Sequence, residues 1–146
     1  MEIESRQFGT IEIDDHKVIK MRKGLPGFKG MNHFVLLEHE YLHPFFSYQS
    51  VDDPALAFIL MDPFSICPDY DFDMGKPFEE MGWAKEDLGK IFIYVIVNVS
   101  GKSQKEMTAN LIGPILLHSV KNEAVQVILN DSHYSSKQPV FKDVKK

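Results

Sequence analysis

The sequence contains a single cysteine, Cys67, among 146 residues. One cysteine cannot form an internal disulfide, and it cannot supply the thiolate cluster of a structural metal site. The chain also lacks any apolar run near the roughly 18 residues that span a bilayer. Its first residues do not combine a basic start with an apolar stretch, as a secretory signal does. We therefore expect a cytoplasmic protein in which Cys67 is a small core residue.

Motifs of common catalytic sites are also missing. The chain has no Gly-x-Ser-x-Gly elbow, no phosphate-binding loop and no Gly-x-Gly-x-x-Gly fingerprint. Its six histidines show no His-Glu-x-x-His spacing. The nearest approach is His39 with His43, and Pro44 directly afterwards favours a loop there over a helix. We expect no enzymatic activity, no cofactor and no metal site.

Acidic residues are concentrated in the middle of the chain. Residues 52–87 contain ten carboxylates and two lysines, a local charge of −8 in a chain of net charge −5, so the remainder carries +3. Summed charge steers encounters over about a Debye length. The pattern therefore predicts a negative face that attracts a basic protein and does not bind nucleic acid directly. The alternative is a solvated face that only aids solubility.

The segment 69–73 reads Asp-Tyr-Asp-Phe-Asp and, with Glu80, imitates the ligand spacing of an EF-hand calcium loop. The imitation fails because Met74 stands where the loop needs glycine, and Pro68 prevents a helix from leading into it. A strand with its two aromatic residues inward and its carboxylates outward fits the same pattern better. The outward carboxylates are candidate contacts for a basic partner: Asp69, Asp71 and Asp73.

Hydrophobic patterning predicts a mainly β protein. Alternating apolar and polar residues indicate half-buried strands, and continuous apolar runs indicate strands buried on both faces. The alternating segments are 3–13, 17–21, 34–38 and 124–129, and the continuous ones are 56–61, 91–97 and 112–117. Seven or more short strands without βαβ spacing favour an antiparallel barrel or sandwich.

One segment breaks this pattern. Residues 76–89 have Pro77 near the start, acidic residues in the middle and Gly89 at the end, which predicts a short helix around residues 83–88. The chain shows no internal repeat and no linker, so we expect residues 1–146 to form a single domain. Residues 135–146 should be a loosely ordered tail.

Gly24-Leu-Pro-Gly-Phe28 contains the signature of a type II turn. Pro26 occupies the second position and Gly27 the third, where the turn needs positive φ. Such a turn has two interpretations. It is either a structural corner, or it presents exposed Leu25 and Phe28 to a protein partner, whose binding would bury their apolar surface.

Pro114 lies within the apolar run 111–117. Proline cannot donate to a strand ladder, so it marks a sheet edge or a bulge, and Gly113 strengthens the bulge interpretation. One alternative is a structural kink in which Asn110 caps a backbone turn. The other is that Asn110 and Pro114 belong to an edge that docks a partner.

Six motifs occur in an order that resembles the FliW family, the flagellar assembly factors of bacteria. They are Gly24-Leu-Pro-Gly-Phe28, Phe45-Phe-Ser-Tyr-Gln-Ser50, Leu56-Ala-Phe-Ile-Leu-Met-Asp-Pro63, Pro68-Asp-Tyr70, Ala109-Asn-Leu-Ile-Gly-Pro-Ile115 and Gln126-Val-Ile-Leu129. Two positions depart from the family pattern. Gly113 stands where alanine is more usual, and His118 stands where asparagine commonly closes the block.

The resemblance implies a small, irregular β-barrel that binds two competing proteins and catalyses nothing. One partner is CsrA, a dimeric RNA-binding regulator that represses flagellin translation, and the other is flagellin. Flagellin sequesters the FliW-like protein, which frees CsrA to repress, and secretion of flagellin reverses both steps. We expect a monomer when neither partner is bound. Two alternatives remain: a flagellin export chaperone without a regulatory role, and a ligand- or metal-binding β-barrel.

Overall fold

The computed structural model describes residues 1–99, 106–130 and 132–141 and is mainly β. Within these residues the strands are β1 (Glu2–Ser5), β2 (Gly9–Glu12), β3 (Ile19–Lys20), β4 (His33–Leu37), β5 (Phe46–Ser50), β6 (Ala57–Met61), β7 (Ile91–Val99), β8 (Met107–Ala109), β9 (Ile115–His118), β10 (Glu123–Gln126) and β11 (Gln138–Pro139). The described residues contain one α-helix, α1 (Gly75–Met81), and three short 3₁₀ helices, Asp15–Lys17, Pro63–Ser65 and Lys85–Lys90.

Seven of the strands form a ring. The order β7-β6-β5-β4-β3-β10-β9 is closed by pairing of β9 with β7. Adjacent strands are antiparallel, except that β3 and β10 are parallel. The nine residues of β7 make closure possible, since its first half pairs with β9 and its second half with β8. The predicted barrel-like, mainly β fold is thus confirmed, as an irregular strand ring with one parallel pair.

The ring encloses the main hydrophobic core. Every ring strand contributes to it, because alternate residues of a strand face opposite sides. The strand residues of this cluster are Ile19, Phe34, Tyr48, Leu60, Tyr94, Ile115, Leu117 and Ala124. Phe34 and Tyr48 stack with their ring centroids 4.5 Å apart. On the other face of β6 and β7, Met61, Val95 and Val97 belong to a second cluster that β8 and the later chain cover.

The helix prediction for residues 83–88 is wrong in its position. The α-helix is α1, which ends at Met81 and is followed by Gly82 in the left-handed conformation, with φ +71°. The Gly82 N–H donates to the carbonyls of Glu79 and Phe78, a glycine-type helix end. Trp83 then leaves the helix and is buried, and Lys85–Lys90 forms a 3₁₀ helix.

The tail that was expected to be loosely ordered contains hydrogen-bonded backbone within residues 135–141, the part that the structure describes. Gln138–Pro139 forms β11 against β8, and Val140 is buried in the second cluster. The carbonyl of Ser135 accepts a hydrogen bond from Leu111 N–H at 3.0 Å. Residues 142–146, which the same expectation covers, lie outside the described residues.

His118, one of the two departures from the family pattern, is buried at the end of β9. Its Nδ1 accepts hydrogen bonds from the N–H groups of Val120, at 3.2 Å, and Lys121, at 3.0 Å. These two bonds require Nδ1 to be unprotonated and leave Nε2 3.3 Å from Asp87 Oδ2. The histidine therefore closes the turn after β9. An asparagine oxygen would offer an equivalent acceptor.

Asp87 predicts a specific loss of stability in acid. The Ala84 N–H, followed by His118 and Lys90, holds the pKa of this carboxyl below its ordinary value of 3.8. A depressed pKa stabilises the fold above the ordinary value, and this stabilisation is lost as the pH falls through the folded-state pKa. We expect Asp87→Asn, which keeps an acceptor for Ala84, to be less stable than the parent at pH 7. Denaturant titrations should show this difference disappearing below pH 3.8. A constant difference down to the lowest pH would contradict a role for the charge.

Candidate protein-binding site

Residues 69–73, called the carboxylate loop below, adopt a fixed irregular conformation. The strand predicted here is wrong, since the backbone leaves the 3₁₀ helix Pro63–Ser65 through a turn in which Tyr70 N–H donates to the Cys67 carbonyl at 3.0 Å. The inward position of Tyr70 is confirmed. Its side chain is only 4% exposed, and its hydroxyl donates to the Leu111 carbonyl at 2.6 Å.

A second tyrosine holds the loop from outside. Tyr134 accepts a hydrogen bond from Asp71 N–H at 2.9 Å, and its hydroxyl donates to the Asp71 carbonyl at 3.1 Å. The rings of Tyr70 and Tyr134 meet edge to face, with centroids 4.7 Å apart. Both backbone groups of Asp71 are thereby satisfied, and the loop is held by the β8–β9 connection on one side and by the segment before β11 on the other. As predicted, Asp69, Asp71 and Asp73 are exposed.

The ten acidic residues of segment 52–87 differ in what their side chains contact. Half of them accept backbone N–H groups. Asp53, Asp62, Asp73 and Asp87 accept from residues two or three positions away and so fix local turns, whereas Asp52 accepts from Asn32 and His33. Glu80 instead pairs with Lys23 at 3.0 Å, and the lysine lowers the pKa of that carboxyl. Within the part of the chain that the structure describes, no hydrogen bond or ion pair involves the side chain of Asp69 or Asp71. These two carboxylates are available to a partner.

The Gly24–Phe28 turn is formed as predicted. Phe28 N–H donates to the Leu25 carbonyl at 2.9 Å, and Gly27 has φ +85°, which the third position of a type II turn requires. The expectation that Leu25 is exposed is wrong: it is 5% exposed and packs into the ring core. Phe28 is 38% exposed and contacts Phe58 edge to face.

The Asn110–Pro114 segment is a buried turn. Asn110 Oδ1 accepts a hydrogen bond from Ile112 N–H at 3.1 Å, the capping role that one interpretation predicted. The interpretation as a sheet edge is wrong, because Pro114 is buried and β9, which follows it, lies between β10 and β7. A Cβ at Gly113 would lie 2.8 Å from Gln126 Nε2, so glycine makes room for this amide.

The structure brings only some of the predicted partner-binding residues together. The hydrogen bond from Tyr70 to Leu111 joins the carboxylate loop to the Asn110–Pro114 turn. No aromatic contact or hydrogen bond among the described residues joins Phe28 to that loop. Sequence reasoning did not identify Tyr134, whose position 63 residues beyond Asp71 gives no local signal of the contact. The candidate site is therefore the carboxylate loop on its two tyrosine anchors.

Tyr70→Phe should destabilise the protein by about 1 to 3 kcal/mol, because the Leu111 carbonyl would remain buried without its donor. Thermal unfolding measures the loss. The same substitution at Tyr134, whose hydroxyl bonds are exposed, should have less effect. Equal losses in the two variants would show that the buried hydroxyl has no special role.

The described residues contain no group of three or more His, Cys, Asp or Glu side chains that could hold a metal ion. None of the helices formed by these residues has the length and apolar character needed to cross a membrane.

The chain is similar over nearly its whole length to known proteins. The family model "FliW protein" matches residues 2–140. The flagellar assembly factor FliW of Caldanaerobacter subterraneus subsp. tengcongensis is 36% identical over 99% of this chain and 96% of the relative. That of Alkaliphilus metalliredigens is 33% identical over 100% of this chain and 90% of the relative. A crystal structure of the flagellar assembly factor FliW superposes with a TM-score of 0.90 at 34% identity, covering 99% of this chain and 100% of the other.

Proposed function

Because the chain belongs to the FliW family of flagellar assembly factors, we propose that it is a non-enzymatic regulator of flagellin synthesis. In this proposal it binds a CsrA-type translational regulator and flagellin, one at a time. Free protein removes the regulator from the flagellin leader RNA, and newly made flagellin removes the protein from the regulator. Binding and release suffice for this cycle, and no bond is made or broken.

The fixed carboxylate loop is the observation that best supports the regulatory part of the proposal. Asp69, Asp71 and Asp73 are exposed on a loop anchored by Tyr70 and Tyr134. Because these contacts anchor the loop backbone, its ordering entropy would not be lost again when a basic surface met the carboxylates. The carboxylate loop and the neighbouring acidic residues give residues 52–87 a strong negative charge.

Electrostatic repulsion gives the proposed antagonism a physical route. An RNA-binding protein holds its ligand largely through cationic contacts to phosphates. Carboxylates docked beside those contacts would lower the local positive potential and weaken RNA binding, even without covering the RNA site. The effect should diminish as salt increases, since ions screen both interactions.

The proposal also includes a cellular location and an oligomeric state. We place it in the cytoplasm, where both translation and flagellin synthesis occur, as a single domain and as a monomer when free. The acidic segment argues against direct contact with nucleic acid, because phosphates and carboxylates repel each other.

Calorimetry with the host's CsrA homologue and, separately, with its flagellin tests this function. The affinity of the CsrA homologue for flagellin leader RNA should be measured in parallel, with and without the protein. We expect complexes with both proteins and weakened RNA binding. Flagellin binding alone would favour an export chaperone, and binding to neither protein would contradict the proposal.

A further inference from the structure

The strand ring has a surface depression that is lined in part by apolar side chains. A cavity of about 680 Å³ lies there between β4, β7 and the segment that follows β2. Its floor includes Leu36, Tyr94 and Leu117, all of which pack in or against the ring core. Phe92 stands at its rim and is 53% exposed. An exposed phenylalanine above a buried apolar floor offers a site for another apolar side chain.

A second cavity adjoins the first. It has a volume of about 870 Å³ and is lined largely by residues 38–46. Glu38 lines both cavities, and Phe46 of the second contacts Tyr94 of the first edge to face, with centroids 5.2 Å apart. The two cavities together form an extended depression, called the ring-mouth groove below.

The rim of the ring-mouth groove is negative. Its charged residues other than histidine are five carboxylates and one lysine: Glu12, Asp14, Glu38, Glu40, Asp62 and Lys17. The N-terminal ammonium, 3.1 Å from Glu12, offsets one of these charges. No ion pair of Glu38, Glu40 or Asp62 occurs within the described residues. Burial, followed by the charges of Glu38 and Asp62, raises the pKa of Tyr94 on the groove floor.

We propose that the ring-mouth groove binds a protein segment in which an apolar side chain is flanked by lysine or arginine. The apolar side chain packs between Phe92 and the floor, and the basic residues pair with Glu38, Glu40 and Asp62. This surface uses none of the carboxylate-loop residues, so the inference stands independently of the proposed function.

The negative rim favours this occupant over others. A nucleic acid or an acidic segment would bring negative charge to a negative rim. A second copy meeting the same face across a two-fold axis would place like carboxylates against each other. An uncharged small molecule would leave the acidic rim without a counterpart. A basic and apolar segment satisfies the floor and the rim together.

Peptide titration of the isotopically labelled full-length protein tests this inference. The probes are two dodecapeptides of the same length, with a central Leu-Phe pair flanked by lysines in one and by glutamates in the other. We expect the basic peptide to bind at least about tenfold more tightly, equivalent to about 1.4 kcal/mol, and to shift the amide resonances of Leu36, Phe92 and Tyr94. Equal affinities, shifts confined to another surface, or no binding of either peptide would overturn the inference.

Variants on exposed positions complete the test without disturbing the core. Phe92→Ala should weaken binding of the basic peptide about fivefold or more, as for an apolar anchor. Val99→Ala is the matched control, since Val99 is 56% exposed on the same strand and lies outside the groove. Light scattering on the free protein tests the second-copy occupant: a dimer that Phe92→Ala dissociates would overturn the inference.

Discussion

Replacement of Asp69, Asp71 and Asp73 together by lysine is expected to weaken the proposed binding to the CsrA-type regulator by about tenfold or more at low salt. The three substitutions change the net charge by six units in one exposed loop. Their effect should fall mainly on the association rate, because charges at the rim of an interface steer encounter. Relief of RNA binding by the regulator should decrease in parallel.

The control for this triple variant carries the same change of charge elsewhere. Glu2, Glu4 and Glu106 are exposed and lie outside the acidic segment. Lysine at these three positions should reduce the association rate much less than lysine in the carboxylate loop. Stopped-flow or surface-based kinetics at several salt concentrations would separate the two variants. Equal losses would mean that net charge, and not the carboxylate loop, governs binding.

The largest expected change in stability comes from the ring core. Tyr48 is fully buried and stacks on Phe34 at 4.5 Å between centroids. Tyr48→Ala removes this contact and leaves a cavity, so we expect a loss of about 3 to 5 kcal/mol in the free energy of unfolding. Urea denaturation with circular dichroism gives the value. Tyr41→Ala, at a side chain that is 90% exposed, should change stability by at most about 0.5 kcal/mol.

A second substitution, Tyr48→Phe, separates the contribution of the Tyr48 ring from that of its hydroxyl. Burial raises the pKa of Tyr48, and its hydroxyl has no hydrogen-bond partner among the described residues. A buried hydroxyl without a partner is unfavourable, so Tyr48→Phe should stabilise the protein by about 1 kcal/mol. A Tyr48→Phe variant as unstable as Tyr48→Ala would contradict this assignment and imply an unseen partner for the hydroxyl.

The strands with long apolar patterns were predictable from sequence, whereas the burial of both faces of β5 was not. Phe46 and Tyr48 alternate with polar residues, which indicates one exposed face, yet Ser47, Gln49 and Ser50 are buried. The buried amide of Gln49 is satisfied in the folded chain, since its Oε1 accepts from Arg6 N–H and its Nε2 donates to the carbonyls of Pro54 and Leu56 in the β5–β6 connection. The hydrogen bond from Arg6, 43 residues away, leaves no signal in the sequence of β5. The parallel pairing of β3 with β10 and the pairing of β9 with β7 likewise depend on tertiary structure and have no local signal in the sequence.

The candidate site was predictable in its charges and only partly in its geometry. Alternation in segment 69–73 placed the carboxylates outward correctly. It suggested a strand because Tyr70 alternates with them, but the anchor of Tyr70 is a carbonyl 41 residues away in the chain. At Leu25 the backbone was predictable and the exposure of the side chain was not. A proline-glycine turn predicts the backbone conformation, but whether its apolar residue faces solvent depends on what packs against the turn.

The proposed mutual exclusion of the two partners is tested most directly with all three proteins in one sample. The preformed complex with the CsrA-type regulator should be mixed with increasing flagellin and analysed by size-exclusion chromatography with light scattering. We predict that flagellin releases the regulator and that only binary complexes elute. A stable species containing all three proteins, at partner concentrations well above both dissociation constants, would contradict mutually exclusive binding.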